Sequence, residues 1–175
     1  MTDQFYRMSA DFEAREFWDL GIEGDHEIAA WEFLRPGVFR SKSVALRIEE
    51  PGLPADFNET AFGVPLVSQK FMKTIEPYVR NDVKFIPVKF DRDDKWYVLH
   101  VRSHLPCLDF ENSRLEFRDD GEIAGVRNLC IDSRDLQGRN IVRPQEWPVA
   151  IVCRECVMLA AQKNGLTGFV ATRVS

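Results

Sequence analysis

At 175 residues and 20.2 kDa, with 45% apolar residues, 20 aromatics and 29% charged residues, the chain has enough surface to bury to fold as one domain without disulfides or metals, and intrinsic disorder is excluded for most of it. No apolar run approaches the roughly 18 residues of a membrane-spanning helix, and the opening MTDQFYRMSADFEARE lacks the basic and apolar regions of a secretory signal, so a soluble, cytoplasmic protein is expected. The formal charge of −5 is unevenly held: residues 1–60 carry 13 acids and 6 bases (−7) and residues 61–175 carry 15 acids and 17 bases (+2), which leaves no basic stripe of the kind that binds nucleic acid.

Residues 4–9 (QFYRMS) read as a short opening strand. From Asp11 to Leu20 the spacing of Phe12, Phe17 and Trp18 among acids fits an amphipathic helical turn or two, ended by Gly21 and Gly24. Ser43 to Ile48 reads as a strand, and EEPGLPADFNET (49–60) as a loop marked by Pro and Gly. GVPLVS (63–68) is a short extended run that sets Ser68 at a helix N-cap. Phe71, Met72, Ile75 and Val79 follow at helical spacing, which predicts a helix over about 68–76 with Pro77 closing or distorting the last turn. VKFIPVKF (83–90) alternates as a strand, and Pro87 within it marks a sheet edge or a bulge. A hydrophilic hairpin loop at 91–95 leads to WYVLHVRSHL (96–105), the longest strand candidate.

Arg114–Phe117 is a further strand, Asp119-Asp120-Gly121 a hairpin turn, and GVRNLCID (125–132) the strand after it. PVAIVCRECVMLAAQKNGLTGFVATRV then gives a buried strand, a helix over about 154–164, a Gly165 C-cap and a final strand. Two units, PLVSQKFM…VKFIPVKF and AIVCRECVM…GFVATRV, share the order strand, cap, helix, strand, with Ser68 and Cys153 in equivalent places. The expected fold is a single α+β domain over 1–175: a mixed, largely antiparallel sheet of about six to eight strands, carrying both units. A few short helices pack on it through Phe71, Met72, Ile75, Cys156, Val157 and Ala160.

Four cysteines occur, at 107, 130, 153 and 156. Cys153 and Cys156 form a C-x-x-C at a predicted helix start, where the helix terminus and Arg154 would favour a thiolate and redox chemistry. The plainer reading puts Cys156 on the buried stripe beside Val157 and Ala160 and leaves Cys153 at the cap. His100, His104 and Cys107 are close in sequence, but on one strand the two histidines stand about 13 Å apart, so no zinc site is expected. His26, among Glu23, Asp25 and Glu27, reads as an exposed loop histidine rather than a general base. No nucleophile elbow, phosphate-binding loop or dinucleotide fingerprint is present, so no catalytic residue and no cofactor are assigned.

Residues 11–32 hold eight acids, Asp11, Glu13, Glu16, Asp19, Glu23, Asp25, Glu27 and Glu32, against Arg15 alone, with Trp18 and Trp31 among them. Aromatic anchors in a single-sign charge field are the composition of an electrostatically steered interface. A solvated helix face with its aromatics turned into the core has the same composition, and both readings stand.

GVPLVSQKFMKTIE with VKFIPVKF, then WYVLHVRSHLPCLDFENSRLEF, then IVR, then AIVCRECVMLAAQKNGLTGFVATRV form a series of patches from Gly63 onward. Together they resemble the bacterial polymorphic-toxin immunity proteins of the eleventh catalogued class, formerly a domain of unknown function. Tyr97, Leu108-Asp109, Ser113 and Leu166-Thr167-Gly168 fill that family's places, Cys153 departs from an expected capping serine, and residues 1–60 match least. The resemblance implies a non-enzymatic protein, without cofactor, that binds and neutralises a cognate toxin by stoichiometric occlusion. Charge, not the resemblance, names Asp11, Glu16, Asp19, Glu23 and Asp25 as contacts with Trp18 and Trp31 as anchors, and points to a basic toxin domain rather than nucleic acid or membrane. Two alternatives remain: a thiol-dependent redox or small-molecule enzyme using Cys153 and Cys156, and a scaffolding module for another bacterial protein.

Overall fold

A computed structural model of the chain describes residues 4–11, 13, 19–22, 32–36, 43–50, 52–60, 63–89 and 93–174. In chain order the described strands are β1 (Phe5–Ala10), β2 (Asp19–Ile22), β3 (Val44–Glu50), β4 (Phe57–Glu59), β5 (Pro65–Ser68), β6 (Val83–Lys89), β7 (Trp96–Val101), β8 (His104–Leu105), β9 (Arg114–Phe117), β10 (Ile123–Asn128), β11 (Ile141–Pro144), β12 (Ile151–Arg154) and β13 (Phe169–Arg173). Helix α1 (Gln69–Val79) joins β5 to β6, and α2 (Glu155–Lys163) joins β12 to β13. None of the described helices is long and apolar enough to cross a membrane.

The class is α+β and the pairing largely antiparallel, as the sequence predicts. The strands, however, divide into two sheets and a hairpin instead of one sheet. Five run in the order β13-β1-β12-β11-β8, six in the order β2-β3-β6-β7-β5-β4, and β9 pairs with β10 alone. Among the described strands, only β3 with β6 and β8 with β11 are parallel. The two strand–helix–strand units therefore lie on different sheets, and their helices pack against each other.

The two-residue period of a strand explains the layering. Along β12, Ile151 and Cys153 enter the central core while Val152 enters a second cluster behind the five-stranded sheet. Along β7, Leu99 and Val101 enter the central core while Trp96 and Val98 enter a third cluster behind the six-stranded sheet. Both sheets are thus covered on both faces, which is why PLV and VAIV read as unbroken apolar runs rather than alternating ones. Phe71, Ile75 and Val79 of α1 and Val157, Met158 and Ala161 of α2 complete the central core. Each large side chain buried there contributes about 1.5–3 kcal/mol. Three rings fasten the two units: Phe57 and Phe71 lie 5.6 Å apart, and Phe169 of β13 meets Phe71 edge-on at 6.2 Å.

Several local expectations change. Residues 19–22 form β2, antiparallel to β3, so the helical reading fails there; most of residues 12–18 lie outside the described residues. α1 continues through Pro77 to Val79, held by the burial of Val79 in the core. Pro87 pairs with Tyr97 on one side, and β3 joins β6 only at Val88 and Lys89, so the proline sits on a locally open edge. Residues 96–105 are not one strand. β7 ends at Val101, the chain crosses at Arg102 and Ser103, and His104 begins β8 on the other sheet. β4 and β11 lie in stretches without a strand signal.

Candidate functional site

Of the residues that carry the family resemblance, Ser68 and Leu166-Thr167-Gly168 form a junction between the two units. Ser68 Oγ accepts the Phe71 N–H at 3.0 Å, capping α1, and donates its proton to Asp56 Oδ1 at 2.6 Å. The second oxygen, Asp56 Oδ2, accepts the Thr167 N–H at 3.1 Å and the Thr167 hydroxyl at 3.3 Å, and lies 3.6 Å from Lys70 Nζ. Gly168 follows with φ +86°, and a Cβ there would stand 2.3 Å from both Ala55 Cβ and the Phe57 carbonyl oxygen. Only glycine fits. Leu166-Thr167-Gly168 is therefore a fastening between the unit of α2 and the loop before β4.

Leu108-Asp109 and Ser113 form the base of the β9–β10 hairpin. Asp109 Oδ1 accepts the N–H groups of Glu111 and Asn112, each at 3.1 Å, and Asn112 Nδ2 donates to Oδ2 at 2.7 Å. These bonds, the Asn112 side chain first, hold the Asp109 carboxyl below its ordinary pKa. Ser113 Oγ donates to the Cys130 carbonyl and accepts the Cys130 N–H. Asp132, hydrogen-bonded by the Arg134 side chain and backbone, is held down to about 2. Asp109, Asn112, Cys130, Asp132, Ser133 and Arg173 rim an open groove of about 600 Å³.

Of the predicted contact residues, Asp11 and Asp19 are described; Glu16, Trp18, Glu23, Asp25 and Trp31 lie outside the described residues. Asp11 is half-buried after β1, donates its N–H to the Gly168 carbonyl at 3.0 Å and accepts the Glu13 N–H at 3.2 Å. Asp19 opens β2, opposite Glu50.

The thiols separate into two kinds. Cys153 is fully buried within β12, not at a helix cap, and burial, with Cys156 nearby, pushes its pKa up to about 12. Arg154 is the N-cap of α2, and the orphan Glu155 N–H finds the Gln4 carbonyl at 2.9 Å. No side chain plays at α2 the part that Ser68 plays at α1, so this helix start is without a side-chain cap. Cys107 is likewise buried, its pKa raised to about 12 by desolvation and by Glu146. Cys130 and Cys156 are half-exposed. A buried thiol with a raised pKa is a poor nucleophile, which argues against chemistry at Cys153.

The premise of a 13 Å histidine separation on one strand does not hold, because His100 and His104 belong to different sheets. Among the described residues no three His, Cys, Asp or Glu side chains converge as a metal ion would require. His104 instead pairs in register with Arg143, which is fully buried and donates through Nη1 to the carbonyls of Pro148 and Val149. Burial lowers the Arg143 pKa to about 10 against the support of Glu59. Sequence reading missed Asp56, which looks like an ordinary loop acid, and gave the Asp119-Asp120 turn only a structural role, although Phe117 beside it is 57% exposed.

The architecture is that of an α+β protein in which two strand–helix–strand units on separate sheets are locked together through Asp56, Thr167 and Gly168. The chain belongs to the immunity protein family (Imm11): the family model matches residues 18–175, which takes in most of the acidic N-terminal segment as well as the core from Gly63. No curated protein matches the chain.

Proposed function

We propose that the protein acts in the cytoplasm as the immunity partner of a polymorphic toxin, binding its cognate toxin and neutralising it by stoichiometric occlusion. The family match over residues 18–175 carries this reading. The whole chain serves as one immunity domain, with residues 1–60 as its acidic part and 63–175 as its core. The −7 charge of residues 1–60 favours a basic toxin domain. Asp11, Glu16, Asp19, Glu23 and Asp25 steer the approach, with Trp18 and Trp31 as anchors, within an interface of about 1,600 Å² in total. The role is binding, not catalysis.

Co-expression with the protein encoded immediately upstream tests the reading. Growth rescue together with a stable co-purifying complex is the expected result. Rescue without a complex would favour an enzyme acting on the toxin's target or product. A demonstrably toxic neighbour that is neither bound nor neutralised would sink the immunity reading.

A further inference from the structure

The β9–β10 hairpin belongs to neither main sheet. Phe117 pairs with Ile123 and Leu115 with Val126, so these four share one face, while the ion pair of Glu116 with Arg127 marks the other. Leu115, Ile123 and Val126 pack on the core cluster that contains Cys107, Leu108 and Leu129. The apolar row then continues past this cover to Phe117, which is 57% exposed.

A lone exposed ring is common on protein surfaces; the setting of this one is not. The turn beyond it is built, not slack. The Gly121 N–H reaches the Arg118 carbonyl at 3.0 Å, the Arg118 N–H reaches the Glu122 carbonyl at 2.8 Å, and the Glu122 N–H reaches Asp120 Oδ1 at 3.0 Å. It holds Asp119, Asp120 and Glu122 exposed against Arg118, three acids to one base. A fixed aromatic beside a fixed acidic turn combines an anchor with a steering charge.

We propose that the outer end of the β9–β10 hairpin docks a basic surface of the cognate toxin, with Phe117 entering an apolar pocket and Asp119, Asp120 and Glu122 meeting arginines or lysines around it. This rests on the immunity reading and gives it a contact surface separate from residues 11–32. The charge excludes the other partners. Nucleic acid and anionic membranes repel an acidic turn, and a symmetric contact between two copies would bring like turns together. Two register shifts within β10 blunt that strand's edge, so recognition runs through side chains instead of strand addition.

The test uses the full-length protein and the upstream-encoded toxin carrying an inactivating substitution, with association followed at low and high salt. Phe117→Ser is expected to weaken binding by about 30-fold or more. Asp119→Lys with Asp120→Lys is expected to cut the association rate about tenfold at low salt and much less at high salt. Thermal unfolding of each variant checks the fold, and the turn variant decides the matter if Phe117→Ser does not fold. Unchanged affinity and rate in both variants would overturn the hairpin assignment while leaving immunity intact. No complex with the unaltered protein would remove both. A fall from dimer to monomer in Phe117→Ser would assign the face to self-association and refute toxin docking there.

Discussion

Asp56 and Thr167, 111 residues apart in sequence, are joined by three hydrogen bonds: Asp56 N–H to Thr167 Oγ1 at 3.2 Å, Thr167 N–H to Asp56 Oδ2 at 3.1 Å, and the Thr167 hydroxyl to the same oxygen at 3.3 Å. Because Asp56 also receives the Ser68 hydroxyl, one carboxylate ties the start of α1 to the loop that leaves α2. Asp56→Ala should cost about 2–3 kcal/mol and Thr167→Val about 1 kcal/mol in urea unfolding. A double-mutant cycle should give a coupling of at least about 0.5 kcal/mol. Strict additivity would mean that the bonds do not fasten the two units.

Gly168→Ala should be the most damaging glycine-to-alanine change among the glycines whose surroundings are described. The new Cβ meets backbone as well as Ala55 at 2.3 Å, so relief requires the β4 loop to move. A loss of about 3 kcal/mol or more, or failure to accumulate folded protein, is expected. Gly121→Ala, also at positive φ (+84°) but with nothing within 4 Å, should cost only about 1 kcal/mol. Equal effects on thermal unfolding would show that φ alone matters.

Acid should weaken the protein through His104. Burial, followed by the charge of Arg143, lowers its folded pKa to about 4 from 6.5. The unfolded chain therefore takes the proton first, and stability held above pH 6.5 is lost as pH falls towards 4. Glu59 works in the opposite sense. Burial raises its folded pKa above 4.5 against the Ala10 N–H and Arg143, so its contribution is present at low pH and lost as pH rises through the folded value. Urea midpoints across this window should decline on acidification, less steeply in His104→Gln and more steeply in Glu59→Gln. A decline unaffected by His104→Gln would assign it to other groups.

Alkylation of the native protein near pH 8 should modify Cys130 and Cys156 before Cys107 and Cys153, and all four only after unfolding, as read by peptide mass spectrometry. Burial and the raised pKa both protect Cys153. Modification of native Cys153 at the rate of a free thiol would revive the redox-enzyme reading.

Asp19→Lys with Glu23→Lys should slow association with the toxin at low salt and flatten its salt dependence. Association kinetics identical to those of the unaltered protein would remove the acidic segment from the interface and leave the hairpin as the surface to map.

Local signals carried much of this fold into the sequence. Ser68 with Phe71, Ile75 and Val79 specifies α1 because a cap and an apolar stripe are both local, and Asp119-Asp120-Gly121 specifies its hairpin for the same reason. What the sequence hid depends on distant partners. Cys153 resembles Ser68 in order, yet β12 runs on to Arg154, which makes no side-chain cap, and the Glu155 N–H is met by the distant Gln4 carbonyl. β11 looks polar because Arg143 interrupts it, and nothing local reveals that its guanidinium is buried over the carbonyls of Pro148 and Val149. The break after Val101 is equally silent, since WYVLHVRSHL alternates smoothly across the point where the chain changes sheets. At the candidate site, composition exposed the acidic segment at once, whereas Phe117 needed the fold to show that its apolar row outruns its cover.

The place of β1 between β12 and β13 has a consequence for timing during synthesis. Among the described strands, residues 5–10 pair with residues 151–154 and 169–173. At about 5–20 residues per second on the ribosome, roughly ten to thirty seconds separate the emergence of this strand from that of β13. Through that interval β1 waits without its strand partners, and the five-stranded sheet cannot close until β13 has emerged. If the protein is the immunity partner proposed above, nascent chains would give no protection and a cell meeting the toxin would rely on its stock of finished copies.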